Sequence, residues 1–391
     1  MKISNVETLI CDAGWRPWIF IKIETDSGLV GYSEVTDSHG SPLGIKGIVE
    51  EWKKRLQGRD PRMIQHLYYE IFRATRQTYG GLIQKAWAGI ENALWDIKAK
   101  DLEVPVYDLF GGKLRDEIRV YWSHCGTTRV RAHDIVGKER ITSPKDIKTF
   151  ANEVMERGFD AIKTNLIIFD DQNTYIHHPG FHGPFGSTDR NPEKKVLDSI
   201  ELLMGTWREA VGSQVDILLD LNFNFTTEGF IKVARLIEPF NPMWVELDSY
   251  DPKALKEVTM ASAVPTCSGE NLYGLREFKP YFESQAMRIA MIDFNWNGWI
   301  QSKRIADYAE SCEMNIAPHN YYSHFSTFMN AQFCAACANV RIMEVDVDDV
   351  PWKDSIVNRV PEIKNGKLKI PSGPGWGVSL NENALQDYLW K

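Results

Sequence analysis

Cysteine is scarce in this chain, six in 391 residues. That is too few for a disulfide scaffold in a protein of this length, and the expectation is reduced thiols and a cytoplasmic setting. Cys334 and Cys337 form a C-x-x-C, but no second pair accompanies them and the surrounding pattern, 328–338, is apolar and helical. Two small core residues explain that better than a zinc or redox site. Basic residues are outnumbered, 45 Lys and Arg against 53 Asp and Glu, and the net charge of −8 argues against nucleic-acid binding. No apolar run is long enough to span a bilayer, and residues 1–10 lack the basic-then-apolar order of a signal peptide. What is present is 43% hydrophobic and 25% charged residues, a globular composition long enough for two domains or one large barrel with an appendage.

Against that background one stretch organises the chain. Short apolar runs end in turn at Asp220, Glu246, Glu270, Asp293, His319 and Glu344, at intervals of 26, 24, 23, 26 and 25 residues. A strand, a loop, a helix and a second loop need about that length, so the period reads as successive βα units. A solenoid would repeat its apolar positions more literally. In a parallel barrel the residue at the C-terminal end of each strand faces the mouth where chemistry happens. Three carboxylates, then an Asp, a His and a Glu, are therefore expected to converge on one pocket.

Upstream, residues 1–35 read as strands with a turn at Asp26-Ser27-Gly28. Two loops, 14–18 and 37–42, are marked by Gly, Pro and Ser. Three helices are expected next: 45–56, a second opened by Asp60 as N-cap and Pro61 as first residue, and 82–98 with an apolar face. Residues 1–120 thus form an α+β capping domain and 121–350 the barrel. Residues 118–121 are its first strand, 144–157 a helix after Ser143, and Lys163 ends the second strand. From Lys163 to Asp220 is 57 residues, twice the later repeat, so 166–192 is an insertion, the kind of long loop that serves as a lid. The segment 351–391 returns to the cap, with 367–371 as a strand and 374–378 as a tight loop.

Several fragments stand in order along the chain: Leu109-Phe110-Gly111-Gly112-Lys113-Leu114-Arg115-Asp116, Ala161-Ile162-Lys163-Thr164, Asp220-Leu221-Asn222, Trp244-Val245-Glu246, Gly269-Glu270, Met291-Ile292-Asp293 with Gly298, Pro318-His319 and Ile342-Met343-Glu344. Over nearly the whole length the chain resembles the enolase superfamily, mandelate racemase-like subgroup. The resemblance implies a (β/α)7β barrel, a modified TIM barrel, with an α+β N-terminal cap completed by the C-terminal segment. It also implies Mg²⁺-assisted removal of the proton α to a carboxylate, an acid-sugar substrate and a homo-oligomer. Asp220, Glu246 and Glu270 match the family's metal ligands, and Mg²⁺ is a hard ion that takes oxygen donors. His319 matches the base, Asp293 its orienting carboxylate, Glu344 a hydrogen-bonding partner of the substrate carboxylate as it gains enolate character and Lys163 a cation beside the same oxygens.

One position departs from the pattern. Racemase-like members usually carry Lys-x-Lys on the second strand, whereas this chain has Lys163-Thr164-Asn165. Asn has no useful proton affinity, so the second base is missing unless the insertion supplies one. Racemisation needs a base on each face, but dehydration needs only one whose conjugate acid then protonates the departing hydroxyl. The expected reaction is β-elimination of water from a sugar acid, giving a 2-keto-3-deoxy acid. The alternatives are a racemase or epimerase with a base from 166–192, a retired barrel with a binding role, and an unrelated metal-dependent aldolase or hydrolase. For substrate contacts the family's cap loops suggest Arg16, Trp18 and His39, with Arg16 meeting a distal carboxylate or hydroxyls. Trp15 lies on the same loops. The insertion offers Tyr175, His177, His178 and His182, and some dehydratases of the subgroup bring a Tyr in on such a loop. Asn165, Asn222, Tyr321, Tyr322 and His324 complete the expected lining.

Overall fold

The computed structural model describes residues 1–37, 39–170, 173–181 and 190–390. Strands β1 (Ile3–Asp12), β2 (Pro17–Thr25) and β3 (Val30–Glu34) form an antiparallel sheet in that order. Helices α1 (Pro42–Leu56), α2 (Ile64–Ala74) and α3 (Gly81–Asp101) pack on it. Ser41 caps α1 by accepting from Gly44 N at 3.0 Å, with Pro42 at the first position. The expected start of the second helix is corrected. Met63, not Asp60, precedes α2, and the Asp60 carboxylate instead accepts from Arg62 N at 2.9 Å and from the Arg62 guanidinium. Helix α3 is buried almost all round because it lies between the cap sheet and the barrel. Gly31 makes the sheet's approach possible, since a Cβ there would meet Ala93 O at 2.3 Å.

The barrel follows. Strands β4 (Glu117–Ser123) and β5 (Ala161–Asn165) are separated by α4 (Thr127–Arg131) and α5 (Pro144–Glu156). A capping box between Ser143 and Asp146 starts α5, and Gly158 at φ +76° follows its end. Within the expected insertion, β6 (Ile167–Ile168) and β7 (Tyr175–Ile176) make a short hairpin. Then come α6 (Lys194–Val211), β8 (Asp216–Asp220), α7 (Thr227–Leu236), β9 (Trp244–Glu246), α8 (Pro252–Ala261) and β10 (Thr266–Ser268). The series ends with α9 (Gly274–Glu283), β11 (Ile289–Asp293), α10 (Phe294–Ser311), β12 (Asn315–His319), α11 (His324–Ala335) and β13 (Met343–Asp346).

Parallel pairing runs β4-β5-β8-β9-β10-β11-β12, and β13 pairs with β4. A single parallel bridge, Ile316 to Val340, closes the circuit between β12 and the segment before β13. Among the described residues no helix follows β13 on the barrel wall, which is the (β/α)7β arrangement expected. The C-terminal segment is partly corrected. Strands β14 (Ile363–Lys364) and β15 (Lys367–Lys369) form a hairpin whose second strand pairs antiparallel with Glu117–Arg119 of the barrel rather than with the cap. The loop after it does return to the cap: Trp376 Nε1 donates to Tyr32 O at 3.0 Å and Trp376 N to Asp96 Oδ1 at 3.0 Å. Helix α12 (Glu382–Gln386) follows, its Glu382 accepting from Lys22 Nζ at 2.9 Å.

Strand alternation then places the chemistry. Tyr121, Ala161, Leu218, Trp244, Met291, Ala317 and Ile342 form one buried cluster inside the barrel. Two residues further along each strand, on the same face, stand Ser123, Lys163, Asp220, Glu246, Asp293, His319 and Glu344. An apolar plug thus lies beneath a polar layer.

Candidate active site

That polar layer floors a cavity of about 710 Å³ between barrel and cap. Its lining includes Lys163, Asn165, Asp220, Asn222, Glu270 and His319 from the barrel and Trp15, Asp37, His39 and Lys85 from the cap. Glu270 lies one residue beyond the two-residue alternation. Gly269, at φ +119°, turns the backbone after β10, and a Cβ there would meet the Phe278 ring at 2.8 Å.

His319 and Asp293 sit side by side at the paired ends of β12 and β11. Asp293 accepts from Trp296 N at 2.8 Å, from the Tyr322 hydroxyl and, at 2.7 Å, from His319 Nδ1. A carboxylate holding these donors fixes Nδ1 as the protonated nitrogen and leaves Nε2 toward the cavity. Nε2 lies 3.5 Å from Glu270 Oε2 and 4.0 Å from Glu344 Oε2. Burial alone would lower the imidazole's pKa, but Glu270, Asp293 and Glu344 outweigh it and raise it to about 10.

Lys163 is buried among carboxylates, 2.8 Å from Glu344 Oε1, 2.9 Å from Glu246 Oε1 and 3.8 Å from Asp220 Oδ2. Its ammonium is held charged, burial opposing and the carboxylates prevailing. Glu344 has no exposed surface, and it accepts from Ser123 Oγ at 2.5 Å and Asn320 N at 2.8 Å. Its pKa falls to about 2 because Lys163 and His319 outweigh the cost of burial. Glu246, Glu270 and Asp248 move the other way: burial raises all three, and repulsion from neighbouring acids, Asp220 among them, adds to it. This excess of buried acid around one lysine, all oxygen donors, fits a hard divalent cation. Among the described residues no three of these acids stand close enough to ligate one ion with their present side-chain positions; Lys163 holds Glu246.

Asn165 and Asn222 meet at Asp220, Asn165 Nδ2 donating to its Oδ2 at 3.0 Å and Asn222 N to its Oδ1 at 2.9 Å. Asn222 adopts φ +44°, a left-handed conformation that Asn tolerates. His39 lines the cavity stacked on Phe181 at 5.2 Å, and Tyr175, 38% exposed, lines it with His178. His177 stacks on Phe225 away from the lining, and His182 lies outside the described residues.

Three expectations are corrected. Arg16 is buried and bound to Asp349 at 2.7 Å and Asp346 at 3.3 Å, so its charge is committed outside the cavity lining. Trp18 is fully buried with its ring edge-on to Trp352 at 5.1 Å, because β2 has already begun at Pro17. His324 turns outward and pairs with Asp354 Oδ1 at 2.8 Å. Trp15 takes the place expected of Arg16, donating from Nε1 to Tyr321 OH at 2.5 Å. The sequence reading also missed Lys85, which is 3.0 Å from Asp37 and 3.6 Å above the Trp296 ring. Its α3 register marked it only as a polar residue beside an apolar stripe. His124, Arg131 and Arg140, from the stretch after β4, carried no motif at all.

Comparison with known proteins agrees with this geometry. Residues 6–111 match the family described as mandelate racemase/muconate lactonizing enzyme, N-terminal domain, and 146–384 match enolase C-terminal domain-like. The chain belongs to the mandelate racemase-like subgroup of the enolase superfamily. It is 30% identical to a D-xylonate dehydratase of Haloferax volcanii, over 99% of this chain and 89% of that one. It is 28% identical to a D-gluconate dehydratase of Thermoproteus tenax, over 99% and 74%. A solved structure from Burkholderia xenovorans, of a protein provisionally assigned as an L-alanine-DL-glutamate epimerase and bound to magnesium and fumarate, superposes with a TM-score of 0.97. It is 44% identical over 100% of this chain and 96% of that one.

Proposed function

We propose that the protein is a Mg²⁺-dependent hydro-lyase that removes the proton α to the carboxylate of a sugar acid and eliminates water from the β position, giving a 2-keto-3-deoxy acid. One observation carries the reading: a complete His319–Asp293 pair faces a cavity where Asn165 stands in place of a second lysine. The names of the dehydratase relatives support it. Asp220, Glu246 and Glu270 would hold the cation, which when bound stabilises negative charge developing on the substrate carboxylate. Lys163, held by Glu246 and Glu344, supplies a fixed positive charge on the same side. A cation held by Glu270 would offset the carboxylate that does most to raise the imidazole's pKa, leaving His319 Nε2 able to take the α-proton while Asp293 holds the ring through Nδ1. The same nitrogen then returns that proton to the β-hydroxyl as the C–O bond breaks, so one residue serves both steps.

Asn165 and Asn222 are tied to Asp220 and orient it. The soft walls, Trp15, Trp296 and Tyr322, limit water around the reacting carbon. The test is a screen of mono- and diacid sugar acids with Mg²⁺, read as semicarbazone absorbance of the 2-keto acid, with His319→Asn as the control.

The epimerase assignment of the Burkholderia relative favours a second reading, in which Tyr175 or His178 acts as a base on the other face. Incorporation of solvent deuterium at Cα without loss of water separates it from dehydration.

A further inference from the structure

The cavity holds more positive charge than one carboxylate requires, and the surplus lies on one wall. Lys163 is engaged by Glu246 and Glu344, and Lys85 is neutralised by Asp37 at 3.0 Å. Arg16 is committed to Asp346 and Asp349. The two remaining cations of the lining are Arg131, at the end of α4, and Arg140, in the loop before α5. Among the described residues neither makes an ion pair. Both are nonetheless held in place. Arg131 Nη2 donates to Tyr321 OH at 3.1 Å, its guanidinium 5.7 Å from that ring and 5.8 Å from Trp15. Arg140 Nη2 donates to Thr174 O at 3.2 Å and Asn173 Oδ1 at 3.1 Å, where the insertion enters β7. Each is anchored through one terminal nitrogen. The Nε and Nη1 donors of both have no protein acceptor among the described residues, which leaves each guanidinium with hydrogens to offer an oxyanion.

We propose that Arg131 and Arg140 receive a second anionic terminus, so that the substrate is a polyhydroxy acid charged at both ends, the far group being a carboxylate or a phosphate ester. The proposal rests on the dehydratase reading only for which end reacts. Against the proposal stands a neutral hydroxymethyl terminus, as in the aldonates named for the dehydratase relatives. Such a group offers one weak acceptor to two guanidiniums, whereas carboxylate and phosphate match them by charge and bring several acceptor oxygens.

The experiment measures binding, so that it does not depend on turnover. His319→Asn protein with Mg²⁺ is titrated calorimetrically with an aldonate, the aldarate of the same carbon chain and the aldonate's terminal phosphate ester. At least one dianion is expected to bind about tenfold or more tighter than the aldonate. Arg131→Gln or Arg140→Gln, made in the same background, each removes about tenfold of that preference. Which dianion gains identifies the far group. The aldonate binding as tightly as both dianions, or the preference surviving both substitutions together, overturns the proposal. If Arg131→Gln does not fold, Arg140→Gln on its exposed side chain decides alone. Tight dianion binding by a protein that dehydrates nothing would retire the proposed reaction and leave this site standing.

Discussion

Asp293 organises the chemistry of its neighbours through three donors, from Trp296, Tyr322 and His319. With Nδ1 so engaged, His319 can act only through Nε2. His319→Asn is therefore expected to lower keto-acid formation by about 10²- to 10⁴-fold, the usual contribution of a positioned general base. The same contacts make a second prediction, for metal-free protein. The imidazole is raised to about 10 from its ordinary 6.5, so the folded state keeps a proton that the unfolded state loses first as pH rises. Its contribution to stability is complete below about pH 6.5 and falls away through about pH 10. Urea midpoints measured from pH 6.5 to 10 with chelator present should decline more steeply for wild type than for His319→Asn; equal slopes would refute the assignment. At this scale the strand-end residues were legible, because a βα period and a two-residue alternation fix where they point. Loop side chains were not. Nothing local distinguishes Arg16 turning down to carboxylates more than 300 positions away from Arg131 turning into the cavity.

Two junctions join cap elements to barrel elements near the site. The first is the start of α10, where Gly298 breaks the helix at φ +69°, ψ 170°, a conformation essentially restricted to glycine. A Cβ there would lie 2.8 Å from Glu91 Oε2. Glu91, on α3, accepts from Ile300 N at 2.7 Å and from Trp87 and Trp95 at 3.1 Å each, and burial raises its pKa to about 7. Gly298→Ala combines backbone strain with a displaced buried acid and is expected to cost about 2 kcal/mol or more in chemical denaturation.

The second junction ties the start of β2 to the end of β13 through Arg16. Burial and Asp349 raise Asp346 to about 8 even with Arg16 beside it. Arg16→Met would strand two buried acids and should cost about 3–5 kcal/mol, read as a lowered urea midpoint. A loss below about 1 kcal/mol would mean that the acids simply take up protons. Gly298 was visible in sequence as part of the sixth strand's signature, but its partner was not. Glu91 lies some 200 positions earlier, on a helix whose periodicity predicts only a stripe facing the sheet.

For the whole molecule, the barrel was the legible part because six strand ends, Asp220 to Glu344, recur at nearly equal intervals, each unit demanding its neighbour. The path of the C-terminal segment was less so: a three-residue strand fits any open edge, and it took the lower half of β4 rather than the cap. Among the described residues no helix is long and apolar enough to cross a membrane. Cap and barrel together enclose the cavity, so each supplies part of any substrate's surroundings, as Lys85 and Trp15 show beside His319 and Asp220. The central claim, elimination of water by a single His–Asp pair, is tested most directly in D₂O with Mg²⁺ and a sugar-acid library containing both mono- and diacids. Each member is followed for 2-keto acid and for deuterium at Cα of recovered substrate. The account predicts keto acid from at least one member, lost in His319→Asn. Deuterium appearing at Cα with no keto acid from any member would contradict it and assign the site to epimerisation.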